Sequence, residues 1–259
     1  MRKRVVLSAA VTAVCVGVSL ASSLLGVAQP APPTRSSVTV VRVKPDMVDA
    51  WVDFQSKRTV PALKKAGVTQ RDVYRSAYGQ AFEFRIVQPV GKLADRDNPT
   101  PPIERALGAP AAKEYNDALR KMVASQQTWI IQGVADASFD PDPNAIHRIL
   151  VLTTTHVAPG RAGDYLNYLR ADLLPAQKKG QAKRFLVSRV LFGGDNNEFR
   201  LASFEDKFAD LDGDSPVVRA LGAEGVAKMA QKTVGMVVSS QRIVYVREDA
   251  LSFRARPAS

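Results

Sequence analysis

Cysteine and histidine are almost missing from this chain, which has 259 residues but one cysteine and two histidines. That scarcity excludes a disulfide framework, a cysteine-rich zinc site and an iron–sulfur cluster, and it argues against a multi-histidine metal centre. Also missing are a Gly-x-Ser-x-Gly elbow, a phosphate-binding glycine-rich loop and a haem-attachment motif. Acidic residues are in the minority, 25 against 36 Lys and Arg, for a formal charge of +11. What is present, 46% hydrophobic and 24% charged residues, is too apolar for wholesale disorder. It is enough for one or two domains with a real core.

The single cysteine, Cys15, lies in the least domain-like segment. Arg2, Lys3 and Arg4 precede an uncharged run rich in Ala, Val and Leu over residues 5–27, and Gly26-Val27-Ala28 presents small residues at the −3 and −1 positions of a cleavage site. This pattern predicts a signal peptide over 1–28 and a periplasmic or secreted protein. The alternative is a retained N-terminal membrane anchor, because the run is long enough to span a bilayer. A lipoprotein is disfavoured by Val14 in front of Cys15. Cleavage removes three cations and no anions, taking the charge from +11 to +8. It also leaves no cysteine, which excludes thiol catalysis. Gln29-Pro30-Ala31-Pro32-Pro33 opens an extended, disordered spacer over 29–36.

The rest of the chain repeats itself. Val43-Lys44-Pro45 returns 114 positions later as Val157-Ala158-Pro159, and at that spacing Trp51 meets Tyr165, Phe54 meets Tyr168, and Arg75 meets Arg189. After a slip of one residue, Glu83-Phe84-Arg85 matches Glu198-Phe199-Arg200. The spacing then returns, with Arg105-Ala106-Leu107-Gly108-Ala109 against Arg219-Ala220-Leu221-Gly222-Ala223 and Ser138-Phe139 against Ser252-Phe253. Two units are expected, 37–139 and 147–254, with a linker over 140–146 and a tail over 255–259. Each reads strand (37–43, 149–157), helix, two short strands (72–78 and 81–87; 187–192 and 198–202), helix (111–125 in the first unit) and final strand (129–135). Pro61 and Pro175 should kink or restart the first helices.

The order β-α-β-β-α-β is the ferredoxin-like unit. With the junctions Val43-Lys44-Pro45-Asp46 and Val157-Ala158-Pro159-Gly160, it resembles the dimeric α+β barrel superfamily, which includes antibiotic-biosynthesis-monooxygenase-like and NIPSNAP-like domains. The resemblance implies an α+β fold of two tandem units packed sheet to sheet as a pseudo-dimeric barrel, and a monomer with pseudo-twofold symmetry. It implies no reaction, because that superfamily holds cofactor-free oxygenases, haem enzymes, isomerases and proteins without catalysis.

Few residues point to chemistry. His156 closes the first strand of the second unit, where the first has Arg42, and the alternate face (Val40, Arg42; Thr154, His156) is assigned to the barrel interior. A neutral imidazole there would serve as a general base; the plain alternative is a strand-end histidine bonded to a loop. Arg75, Arg85, Arg189 and Arg200 recur on strands, with Glu83 and Glu198 on the faces of Arg85 and Arg200. Glu–Arg pairing at the barrel rim is the plain reading. A guanidinium fork for a carboxylate or phosphate is the sharper one. Trp51, Tyr165 and Tyr168 fit a helical core stripe, and Asp210-Leu211-Asp212-Gly213-Asp214 fits a solvated loop, since Leu221 stands where a calcium loop needs Glu. Arg105 and Arg219 are expected in a loop, near acids. Basic residues are scattered through both units, and with export this argues against nucleic acid and for peripheral contact with an anionic envelope surface.

Together these features favour an exported non-catalytic protein without cofactor, either a binder of a small anionic ligand or a structural envelope protein. The alternative is a cofactor-independent monooxygenase or isomerase, with His156 as base and Arg42, Arg75 and Arg85 (or Arg189 and Arg200) holding the anion.

Overall fold

The structure, a computed structural model, describes residues 34–97 and 99–255. The expected signal peptide and the spacer up to residue 33 lie outside the described residues. The first half comprises β1 (Arg35–Val43), α1 (Val48–Phe54), a π-helical segment (Gln55–Thr59), α2 (Val60–Lys65), β2 (Gln70–Tyr78), β3 (Glu83–Pro89), α3 (Pro102–Leu107), α4 (Ala109–Met122) and β4 (Val123–Gly133). The second half runs β5 (Ile149–Val157), α5 (Ala162–Tyr168), a π-helical segment (Leu169–Leu173), α6 (Leu174–Lys179), β6 (Phe185–Phe192), β7 (Glu198–Glu205), α7 (Pro216–Lys232), β8 (Val237–Arg247) and a short β9 (Phe253–Arg254).

Strands β1 to β8 form a closed antiparallel barrel in the order β3-β1-β4-β6-β7-β5-β8-β2, closed by the pairing of β2 with β3. The halves meet along two seams, β4 with β6 and β8 with β2. Side chains alternate between two faces in a strand. On the outer face Val41, Val43, Val73 and Phe84 pack with Trp51 under the helices of the first half, and Val157, Val187, Phe199 and Leu201 pack with Tyr165 in the second. On the inner face Tyr74, Leu150, Leu152, Phe204 and Tyr245 fill the barrel. Arg42 and His156 lie on this inner face, opposite Glu83 and Glu198.

Each half ends in an arm that completes the core of the other. Ala137 packs among the second-half residues around Tyr165, and Leu251 among the first-half residues around Trp51. The Ser138 hydroxyl accepts the Val187 N–H at 2.9 Å, and the Ser252 hydroxyl accepts the Val73 N–H at 2.9 Å. The recurring Ser-Phe pairs are therefore the clasps of these arms.

Several boundaries differ from expectation. β1 starts at Arg35, inside the expected spacer, and β4 starts at Val123 rather than 129. The stretch Ala124–Thr128 is polar on both faces and largely exposed beyond the end of β6, so it carries no strand alternation. Pro61 and Pro175 stand where a restart is expected, in the first turn of the new segments α2 and α6. Each follows a π-helical segment, where the wider i→i+5 turn accommodates a ring that offers no N–H. Arg105 and Arg219 are helical and hold backbone instead of acids. Arg219 Nη2 donates to the Gly180 carbonyl at 2.7 Å and Arg105 Nη2 to the Ala66 carbonyl at 3.4 Å, both at the ends of preceding helices. The glycine that follows each, Gly108 or Gly222, has φ of 81° or 66°, a left-handed break that costs glycine least.

At the end of the barrel away from the β1–α1 junction, Asp72 pairs with buried Arg247 and, at 3.3 Å, with Arg254. Burial works against the Asp72 charge, but hydrogen bonds from Gln70 and Arg247 outweigh it and hold the carboxyl below the usual aspartate range. Its stabilising contribution is complete above the unfolded-state pKa and is lost as pH falls through the depressed value. Asp72→Asn, which leaves buried Arg247 only the exposed Asp249 as a counter-ion at 2.9 Å, should therefore cost about 1–3 kcal/mol at pH 7 and much less near pH 2, as read by urea titration at both pH values. Leu251→Ala should cost about 2–5 kcal/mol in the same assay, although residue 251 is close to the chain end, because its side chain is 0% exposed in the first-half core.

Candidate functional site

The arginines singled out by sequence divide between the two faces of the barrel. Arg85 and Arg200 point inward and are buried. Arg200 Nε donates to Glu198 at 2.5 Å and its guanidinium lies 4.4 Å from the Trp129 ring centroid; Glu83 accepts the Tyr245 hydroxyl at 2.7 Å. Burial and the charge of Arg200 lower Arg85 to about 10. Arg42 and His156 sit at the barrel rim, with Arg42 Nε 3.7 Å from Glu83 and His156 Nδ1 3.4 Å from Asp195 in the β6–β7 hairpin. Arg75 and Arg189 face outward, over the rings of Phe84 and Phe199. The fork expected from Arg42, Arg75 and Arg85 is therefore not assembled. Register sets Arg85 opposite Tyr74, which leaves Arg75 one residue out of phase and on the other side of the sheet.

The better-built site lies between the outer face of the first-half sheet and its helices. A cavity of about 190 Å³ is lined there by Trp51, Gln55, Thr59, Leu63, Arg71 and Tyr115, with Thr39, Gln88 and Gln126 toward solvent. Trp51, Gln55, Thr59 and Leu63 are four residues apart. An unbroken α-helix would rotate such a row away from the sheet, and the wider turns of the π-helical segment keep it aligned.

Arg71 comes from β2, on the same face as Val73. It is 2% exposed, and it donates from Nη2 to Gln55 Oε1 at 2.6 Å and from Nη1 to the Leu251 carbonyl at 3.2 Å. The C-terminal arm thus helps orient it. Among the described residues no carboxylate lies within salt-bridge distance of Arg71. Burial lowers its pKa to about 10, opposed by the nearby Tyr115 phenol. Tyr115 shares a 2.7 Å hydrogen bond with Thr59, and burial raises its pKa. Trp51 Nε1 is buried with no hydrogen-bond partner. The cavity thus combines an uncompensated guanidinium and an unused indole N–H, both unusual among buried groups, with a hydrogen-bonded phenol and amide.

The second half lacks this set. At the matching positions Gln55 becomes Leu169, Thr59 becomes Leu173, Arg71 becomes Phe185 and Tyr115 becomes Met229, all in apolar core. The second half fills this space with hydrocarbon, and the first lines a cavity with polar groups. Sequence reasoning looked for matched residues and missed this site, whose signal is in the mismatches. Replacing the four polar residues by their second-half counterparts (Gln55→Leu, Thr59→Leu, Arg71→Phe, Tyr115→Met) should leave the fold intact. It should raise stability by about 1–4 kcal/mol, measured by urea denaturation.

No family model and no curated protein matches the chain. Solved structures do. A candidate monooxygenase from Lactobacillus acidophilus NCFM superposes with a TM-score of 0.56 at 8% identity, over 86% of this chain and 97% of its own. An anthrone oxidase-like protein gives 0.54 at 10% identity, over 86% and 93%, and a candidate chlorite dismutase gives 0.51 at 11%, over 85% and 97%. At such identities the likeness is one of fold, that of the dimeric α+β barrels.

Proposed function

We propose that this chain binds a small planar anion, one aromatic ring bearing a carboxylate or an ionised hydroxyl, in the cavity of its first half. Arg71 carries the reading. A buried charge with no counter-ion is costly, and an anionic oxygen seated beside Arg71 offsets that cost. A dry cavity of about 150 Å³ holds benzene, so about 190 Å³ suits one ring with a substituent. Trp51 and Tyr115 flank the ring, and Trp51 Nε1 serves a second acceptor. Export by the signal at 1–28, descent of the two halves from one duplicated unit and a pseudo-twofold monomer belong to the same proposal. They are supported by the N-terminal charge pattern and the matched positions.

A second reading comes from the fold neighbours described as a monooxygenase and an anthrone oxidase-like protein: cofactor-independent oxygenation of the same bound ligand. His156 does not line the cavity and is not its base in that reading. A haem does not fit the residues present. The lining offers no histidine, cysteine, methionine or lysine, its one tyrosine is bonded to Thr59, and the volume is far below that of a macrocycle.

The test is titration with benzoate and salicylate, followed by tryptophan fluorescence in a Trp129→Phe background so that Trp51 reports alone. Saturable change is expected, with affinity at least tenfold weaker in Arg71→Met, a variant that stays folded. Absence of saturation, or equal affinity in Arg71→Met, would overturn the proposal. An oxygen electrode separates the two readings: uptake that matches loss of a phenolic ligand supports oxygenation, and no uptake supports binding alone.

A further inference from the structure

The two seams of the barrel are built alike but differ in charge. At one, Arg75 lies over Phe84 at 5.6 Å, and at the other Arg189 lies over Phe199 at 5.3 Å. The residue that follows each long last strand bonds across the seam in the same way: Val134 N–H donates to the Val187 carbonyl at 2.9 Å and Glu248 N–H to the Val73 carbonyl at 2.8 Å. Each ladder also carries a β-bulge at the seam.

Against that common frame, two exchanges stand out. The half-buried Glu248 lies within electrostatic reach of Arg75, whereas Val134 takes its place near Arg189. Gln132, opposite Arg189 in the ladder, takes the place of Val246. The first exchange removes a carboxylate and the second adds an amide donor. The result is an open cavity of about 330 Å³ lined by Gln132, Val134, Arg189, Val190, Leu191 and Asn196. Among the described residues no carboxylate lies within salt-bridge distance of Arg189.

We propose that the β4–β6 seam is a second anion site, in which Arg189, Gln132 and Asn196 take a small oxyanion, a carboxylate or a phosphate, at the place that Glu248 occupies in the other seam. The guanidinium supplies charge-assisted donors and the two amides neutral ones. The bulge at Leu191 leaves one residue outside the ladder beside them, as bulges near binding sites do. The inference is independent of the helix-side cavity, since Arg71 and Arg189 belong to different halves.

The experiment titrates the full chain with inorganic phosphate and, separately, acetate at constant ionic strength, following the Arg189 Nε–H and the side-chain amides of Gln132 and Asn196 by ¹H–¹⁵N NMR. Saturable shifts confined to these groups are expected with at least one anion, and comparing the two identifies which oxyanion the site prefers. Val134→Glu restores the carboxylate of the other seam and should weaken binding at least tenfold while leaving Arg189 in place. Arg189→Gln should weaken it equally and decides the matter if Val134→Glu does not fold. Shifts that fail to saturate with both anions, or that survive in the folded variants, would overturn the proposal; neither outcome touches the benzoate assay.

Discussion

A half-sheet covered by helices on one face leaves an apolar face that water will not tolerate. Everything else in this molecule follows from covering it. Val38, Leu150, Leu152, Phe204 and Tyr245 are inward-facing and buried only because the two half-sheets close on each other. Closure brings Arg85 and Arg200 into one interior, where Glu83, Glu198 and Tyr245 must meet their polar groups. It also draws the end of each half across to the other, so that Leu251 sits in the core around Trp51 and its carbonyl holds Arg71. The helix-side cavity of the first half is therefore completed by the last residues of the second.

Closure by one chain has a further physical consequence. In a symmetric pair of identical chains, any polar substitution appears twice and its cost is doubled. With both halves in one sequence, each position varies alone. Gln55, Thr59, Arg71 and Tyr115 surround a cavity where the other half has Leu169, Leu173, Phe185 and Met229. The second half fills the matching space with hydrocarbon, and the first lines a cavity with polar groups. Val134 and Glu248 likewise differ between the two seams.

Much of the architecture was legible in the residues. A period of 114 positions, alternating β-branched strands and prolines late in both first helices announce two βαββαβ units. The structure contains those elements in that order. The two polar misreadings have different causes. Arg75 and Arg189 looked like partners of Arg85 and Arg200 because all four recur. But face in a strand depends on register with its neighbour, and a shift of one residue reverses it. Arg105 and Arg219 looked like loop residues seeking acids, yet they cap the carbonyl ends of preceding helices, which no spacing along the chain reveals.

By itself the sequence determined the elements, their order and the internal correspondence, because these depend on local periodicity and composition. Only the tertiary structure decided which charged residues are buried without a counter-ion. Arg71 and Arg75 are both arginines of one strand, on one face. The first is sealed beneath the helices and the C-terminal arm, and the second lies over a ring within reach of Glu248. That difference is one of desolvation, and desolvation is set by what the rest of the chain places on top.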